Sequence, residues 1–94
     1  MEQPLPNSVV TQVLATTSSV TLSAPSKDRP WASVYNNASS ASLYLKLGTA
    51  ASSSSFTCII APQGYYEIPL RYTGPVSGAW SAVDGYAMVT ELTY

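Results

Sequence analysis

The sequence predicts an all-β fold: a small antiparallel β-sandwich of about seven or eight short strands with an extended N-terminal arm. Three observations lead there. Apolar and polar residues alternate with a period of two in several short runs, most clearly LYLKL at 43–47. Clusters of Pro, Gly, Asn, Asp and Ser separate these runs at intervals of roughly 8–12 residues. No stretch carries the 3.6-residue period of an amphipathic helix.

The centre of the pattern is residues 43–69, LYLKLGTAASSSSFTCIIAPQGYYEIP. Leu43, Leu45 and Leu47 share one face of a strand, and Tyr44 and Lys46 share the other. Phe56, Cys58 and Ile60 repeat the alternation, and Tyr66 and Ile68 continue it beyond Pro62-Gln63-Gly64. In that turn Gly64 is expected to supply the positive φ.

Residues 1–8, MEQPLPNS, form the expected arm, because Pro4 and Pro6 lack amide donors and oppose helix. Residues 9–94 form the single domain. Residues 9–14 and 19–24 are rich in Val, Thr and Leu and read as two strands, or as one long strand with a bend. In the second run Val20, Leu22 and Ala24 alternate with Thr21 and Ser23. Residues 25–30, PSKDRP, form a loop with three consecutive charges. Residues 31–36 are a strand with Trp31, Ser33 and Tyr35 on one face and Ala32 and Val34 on the other. A turn at 37–40 leads to the strand at 41–47, and the two are expected to pair as a hairpin. The polar loop GTAASSSS at 48–55 reads as a plain, flexible connection. Short strands at 56–60 and 65–69 follow, then a turn cluster with Arg71, Tyr72 and Gly74-Pro75. Residues 76–82 carry Trp80, expected in the core. Asp84-Gly85 is a hairpin signal, and in the last run Tyr86, Met88, Thr90 and Leu92 alternate with Ala87, Val89 and Glu91.

Ninety-four residues make one domain with a thin core. Apolar residues form 46% of the chain and charged residues only 10%, well under the ~25% usual for a soluble domain. Such a surface is poorly protected against association, which favours life inside an assembly. A net charge of −1 without a basic run gives no support for nucleic-acid binding. The one cysteine, Cys58, excludes an intrachain disulfide and reads as a small buried hydrophobe. The N-terminus lacks the apolar segment of a signal peptide, and no apolar run approaches the roughly 20 residues that span a bilayer. The expectation is a soluble protein made in the cytoplasm, with no membrane partner.

Chemistry is scarce. The chain has no histidine, so the commonest general base and metal ligand is missing. Asp28, Glu67, Asp84 and Glu91 are scattered, and Asp28 and Asp84 fall in turns. No phosphate loop, dinucleotide fingerprint or metal-ligand spacing occurs. No catalytic, cofactor or metal residues are assigned, and an enzyme is not expected. Seven Tyr and two Trp offer flat apolar bodies with polar tips, suited either to a protein interface or to stacking on sugar. Tyr65 and Tyr66 are adjacent in one strand, so one ring points in and the other out. The candidate contact residues are Pro4, Leu5 and Pro6 in the arm, Lys27 and Arg29 in the charged loop, and Tyr65, Tyr72 and Tyr94.

Read end to end, residues 9–94 resemble a group of small β-sandwich structural proteins of tailed bacteriophages. The resemblance rests on the proline-containing loop with a basic residue at 24–29 and the strand ending in Asn-Asn at 34–37. It continues through the Ser-rich turn at 39–42, LYLKLG at 43–48, the Ser/Thr loop at 50–55 and the strand with an Ala-Pro-x-Gly turn at 56–64. Tyr-Thr-Gly at 72–74, Gly-x-Trp at 78–80 and Val-Thr-Glu at 89–91 complete it. The resemblance implies a virion location and a non-enzymatic role. The first expectation is a decoration or cement protein on the capsid exterior that reinforces junctions of the major capsid protein. It would act as a homo-oligomer, a trimer or a dimer, with the capsid protein or other virion proteins as partners. The alternative is a neck or tail-fibre module that binds a host glycan or receptor.

Overall fold

The computed structural model describes residues 7–26, 31–69 and 71–93. These form eight strands in two antiparallel sheets, with no helix among the described residues. The strands are β1 (Asn7–Leu14), β2 (Val20–Ser23), β3 (Ala32–Asn37), β4 (Leu43–Leu47), β5 (Cys58–Ile60), β6 (Tyr65–Glu67), β7 (Val76–Trp80) and β8 (Tyr86–Thr93). One sheet has the order β1-β8-β3-β6 and the other β2-β7-β4-β5. The expected all-β sandwich is present. The first strand begins at Asn7, so Asn7 and Ser8 belong to the sheet and not to the arm. Their backbones continue the pairing with Thr93 and Leu92.

The pairings are nested. Strand β4 pairs with β5, β3 with β6, β2 with β7 and β1 with β8. The chain thus runs as one long double ribbon whose tip is the loop between β4 and β5. The ribbon curls on itself, so that β4 also meets β7 and β3 also meets β8. This nested, curled order is that of a jelly roll.

That topology overturns two expectations. Strands β3 and β4 do not form a hairpin: they lie in opposite sheets. Asp84-Gly85 likewise joins β7 to β8 across the sandwich rather than within one sheet. The turn residues mark where the chain reverses, but a reversal leads equally to the neighbouring strand or to the facing sheet. Among the described strands, β4 and β5 are the consecutive pair that hydrogen-bond to each other.

Alternation predicts the inward faces well. Ala32, Val34 and Asn36 of β3 are buried, as are Leu43 and Leu45 of β4 and Ala87 and Val89 of β8. Trp80 lies in the core as expected. In β2 the alternation breaks. A register shift between Thr21 and Ser23 turns both Leu22 and Ser23 inward, and Ala24 falls outside the strand. Ser23 Oγ then donates to Glu91 Oε2 at 2.6 Å, tying the edge of one sheet to β8 of the other.

A polar side chain, Asn36, sits among the apolar residues of the core. Asn36 is fully buried, and its Nδ2 donates to the carbonyls of Ala41 and Ile60, each at 3.0 Å, and of Ala61 at 3.3 Å. Its Oδ1 accepts the indole N–H of Trp80 at 3.0 Å. One amide therefore stitches β3 to three segments of the opposite sheet and its connections. A buried amide is tolerated only when its bonds are satisfied, as they are at this position.

Two positions need glycine. Gly78 lies between Leu22 and Leu43, and a Cβ there would sit 2.8 Å from a Cδ1 of each. Gly85 has φ +80°, and a Cβ would come within 2.1 Å of the Asn37 carbonyl oxygen. At 62–64 the expectation about glycine is corrected. Gln63, at φ 68°, takes the left-handed position. Its N–H donates to Asn36 O at 2.8 Å, its Nε2 to Ala38 O at 2.7 Å, and its Oε1 accepts the Tyr35 hydroxyl. These bonds hold a side chain there at a conformation that costs roughly 1 kcal/mol or more outside glycine.

Candidate functional site

The loop at 48–55 is not a plain connection. It folds back over the outer face of the β2-β7-β4-β5 sheet. Ser77 Oγ donates to Gly48 O at 2.8 Å, Lys46 Nζ to Ser55 Oγ at 2.8 Å, and the Ala51 N–H to Ser19 Oγ at 3.0 Å. Ala51 is buried, and Ser52 and Ser55 close a small two-stranded bridge. The composition is flexible, but the backbone finds enough polar partners to fix one path. This cover explains why β7 is buried on both faces, including the outward Ser77 and Ala79.

Between loop and sheet lies an open cleft of about 420 Å³ lined by Thr17, Tyr44, Ser52, Ser53, Ala79, Trp80 and Ser81. Tyr44 is placed by the alternation of β4, which sends it outward opposite Ile59 of β5. Its ring packs on Phe56 with centroids 5.4 Å apart. Phe56 and Ile59 are themselves exposed, so the cleft opens beside an apolar patch. Its volume is at the small end of the roughly 300–1,000 Å³ of ligand pockets. Among the described residues, the Tyr44 phenol is the ionisable side chain that lines it. The lining offers hydroxyls and aromatic groups, which suit neutral, hydroxyl-rich molecules or polypeptide. Sequence reasoning missed Tyr44 and the loop serines. Tyr44 was legible as outward-facing, but its position beside the loop follows only from the fold-back.

The contact residues expected from the sequence do not converge on this cleft. Tyr65 is the outward ring of its pair, 61% exposed on the edge strand β6, while Tyr66 packs against the core. The Tyr65 hydroxyl donates to Glu67 Oε2 at 2.9 Å, and that bond, with the nearby carboxylate charge, holds its pKa above the ordinary phenol value. Tyr72 is half-buried against the core, and its hydroxyl donates to Pro75 O at 2.6 Å. Its ring closes the turn, with Gly74 against it. Pro4, Leu5, Pro6, Lys27, Arg29 and Tyr94 lie outside the described residues.

The titratable groups with clear roles are structural. The Asp84 carboxylate accepts the N–H groups of Ser40 and Ala41, at 2.8 and 3.1 Å, and the hydroxyls of Ser39 and Ser40. These bonds favour the ionised form and hold its pKa below the usual carboxylate value. Asp84 thus ties the β7–β8 crossing to the β3–β4 crossing. Cys58 is half-buried against the core, and burial raises its thiol pKa. Among the described residues no group of three His, Cys, Asp or Glu could hold a metal ion, and no helix is long and apolar enough to cross a membrane. Neither family models, nor curated proteins, nor solved structures give a match to this chain.

Proposed function

We propose that this chain is a non-enzymatic structural protein of a tailed-phage virion, a decoration protein that binds the capsid exterior and reinforces junctions between major capsid protein subunits. The observation that carries the reading is a set of large apolar side chains left exposed on a chain with few charges. Leu14 is 69% exposed, Ile59 52% and Val83 76%, in a chain with only 10% charged residues. Covering the exposed part of each such side chain contributes about 1–2 kcal/mol. The strand order is an argument by analogy, since jelly rolls recur in viral capsid domains as well as in lectins.

A copy count per virion, by quantitative mass spectrometry of purified particles, tests the proposal. On the order of hundreds of copies, in fixed ratio to the major capsid protein, is the expected result for a symmetric shell component. A few copies would move the protein to the neck or tail, and absence from particles would refute a virion role.

The cleft favours a second reading, a neck or tail module that binds host glycan. Tyr44 and the Thr17, Ser52, Ser53 and Ser81 hydroxyls form a neutral, stacking-capable surface. This reading expects binding to host cell-wall glycan that Tyr44→Ala abolishes. Equal binding by wild type and variant would remove the cleft from consideration.

A further inference from the structure

Strand β1 is the outer strand of its sheet, and its backbone phase can be read from its neighbours. The Ala15 N–H donates to Gly85 O at 3.1 Å, one step beyond the Leu14–Tyr86 partnership. Bonding partners alternate along an antiparallel pair. Val13, Thr11 and Val9 therefore exchange backbone bonds with Ala87, Val89 and Glu91. The far side of β8 agrees, since the Leu92 N–H turns away from β1 to Trp31 O at 3.1 Å. Ser8, Val10, Gln12 and Leu14 are left with their N–H and C=O groups directed outward. Among the described residues no strand lies on that side.

The side chains are as open as the edge. Val9 and Val10 point to opposite faces, and both are about half exposed, at 48% and 52%. Natural edge strands are usually protected by a charge, a proline or a bulge. The strand NSVVTQVL has no charge and no proline, and its register with β8 is unbroken from Asn7 to Leu14. It is also long, since eight residues in register make it, with β8, the longest strand of the fold.

We propose that β1 pairs antiparallel with β1 of a second copy across a twofold axis at Thr11, joining the two β1-β8-β3-β6 sheets into one. The backbone phase selects this register. With Thr11 opposite the partner's Thr11, Ser8 meets the partner's Leu14 and Val10 meets the partner's Gln12, with the reciprocal pairs completing the set. Every outward donor and acceptor of β1 in both copies is then matched. A slip of two residues leaves an outward group unpaired at each end. The side chains suit the same register: Thr faces Thr at the axis and Val9 faces the partner's Val13, pairings that stabilise antiparallel sheets. An uncharged strand brings no like charges together at the axis, so a second copy fits without electrostatic cost. A twofold contact of one strand with itself closes the assembly and leaves no open edge on β1 to propagate a fibre. This inference concerns the chain's own assembly and does not depend on the virion reading.

The test uses the full chain in sedimentation equilibrium from micromolar to hundreds of micromolar, with two variants, and two further variants in oxidative cross-linking. Wild type is expected to be a dimer of the 10.0 kDa chain. Val10→Pro removes an outward N–H, keeps the bonds to β8, and should weaken the dimer by roughly 30-fold or more while the monomer keeps its circular dichroism. Thr11→Lys sets two cations opposite each other at the axis and should give a folded monomer. In a Cys58→Ser background, Thr11→Cys should cross-link on mild oxidation, whereas Val9→Cys, facing the partner's Val13, should not. A wild type that stays monomeric at hundreds of micromolar overturns the proposal, as does unchanged dimerisation of both Val10→Pro and Thr11→Lys. Cross-linking at Val9 equal to that at Thr11 overturns the register. A monomeric wild type whose docking to capsids is lost in Val10→Pro would give the edge to another protein's strand and likewise exclude self-pairing.

Discussion

Replacing Asn36 by Ala should cost more than any surface substitution, and the structure indicates why. The change leaves the Trp80 indole N–H without its acceptor at 3.0 Å and the carbonyls of Ala41 and Ile60 without donors at 3.0 Å, all in the buried centre. A stranded buried polar group costs about 1–3 kcal/mol. The carbonyls retain part of their bonding capacity elsewhere, so the total is about 3–5 kcal/mol. A domain of this size holds about 5–15 kcal/mol in all. With an m-value of about 1.5 kcal/mol/M, the urea midpoint should fall by about 2–3 M. The stronger test is a double-mutant cycle with Trp80→Phe, followed by far-UV circular dichroism. In the native background Trp80→Phe strands the Asn36 Oδ1 as well as removing indole volume. In the Asn36→Ala background it strands nothing and relieves an unpaired N–H. The second cost should therefore be smaller than the first by about 1–2 kcal/mol. Costs that add within about 0.3 kcal/mol would show that the amide and the indole are energetically independent, and would refute a coupled polar centre in this core.

Three further outcomes are expected. Gly85→Ala should destabilise by about 3 kcal/mol, because it combines φ +80° with a backbone oxygen 2.1 Å from the new carbon; a loss below about 1 kcal/mol in urea melts would mean that the crossing gives way easily. Ala50→Gly should raise stability slightly, by about 0.5 kcal/mol, since relief at φ 64° of about 1 kcal/mol exceeds the added freedom of the unfolded chain; a lower urea midpoint would contradict it. The Asp84 pKa is lowered by folding, so its contribution to stability is present above the unfolded-state value and is lost as pH falls through the folded one. Asp84→Asn should remove that part of the acid-side slope, and wild-type and variant urea midpoints that run parallel from pH 7 to pH 2 would rule it out.

Much of the fold was legible because sidedness is local. A period of two is enough to place Leu43 and Leu45 inside and Tyr44 outside, and to separate Tyr66 from Tyr65. The cleft and its contacts were less legible. The serines at 52 and 53 have no pattern of their own, and they line a cleft only because Ser77, Lys46 and Ser19 hold their loop against the sheet. The hairpin expected from Asp84-Gly85 failed for a related reason. Asp84 is used to bind Ser39, Ser40 and Ala41 of another crossing, a task that no local motif distinguishes from closing a two-residue turn.

By itself, the sequence determined strand character, the faces of most strands, the positions of chain reversal and a surface short of charge. All follow from the chemistry of residues a few positions apart. Tertiary structure alone decided which strands pair, because pairing depends on closing the ribbon over distances such as that from Ser33 to Thr90. It also decided that a polar residue at position 36 belongs in the core. The acceptors and the donor that make that burial tolerable are Ala41, Ile60 and Trp80, and only the curling of the sheets brings them to one point.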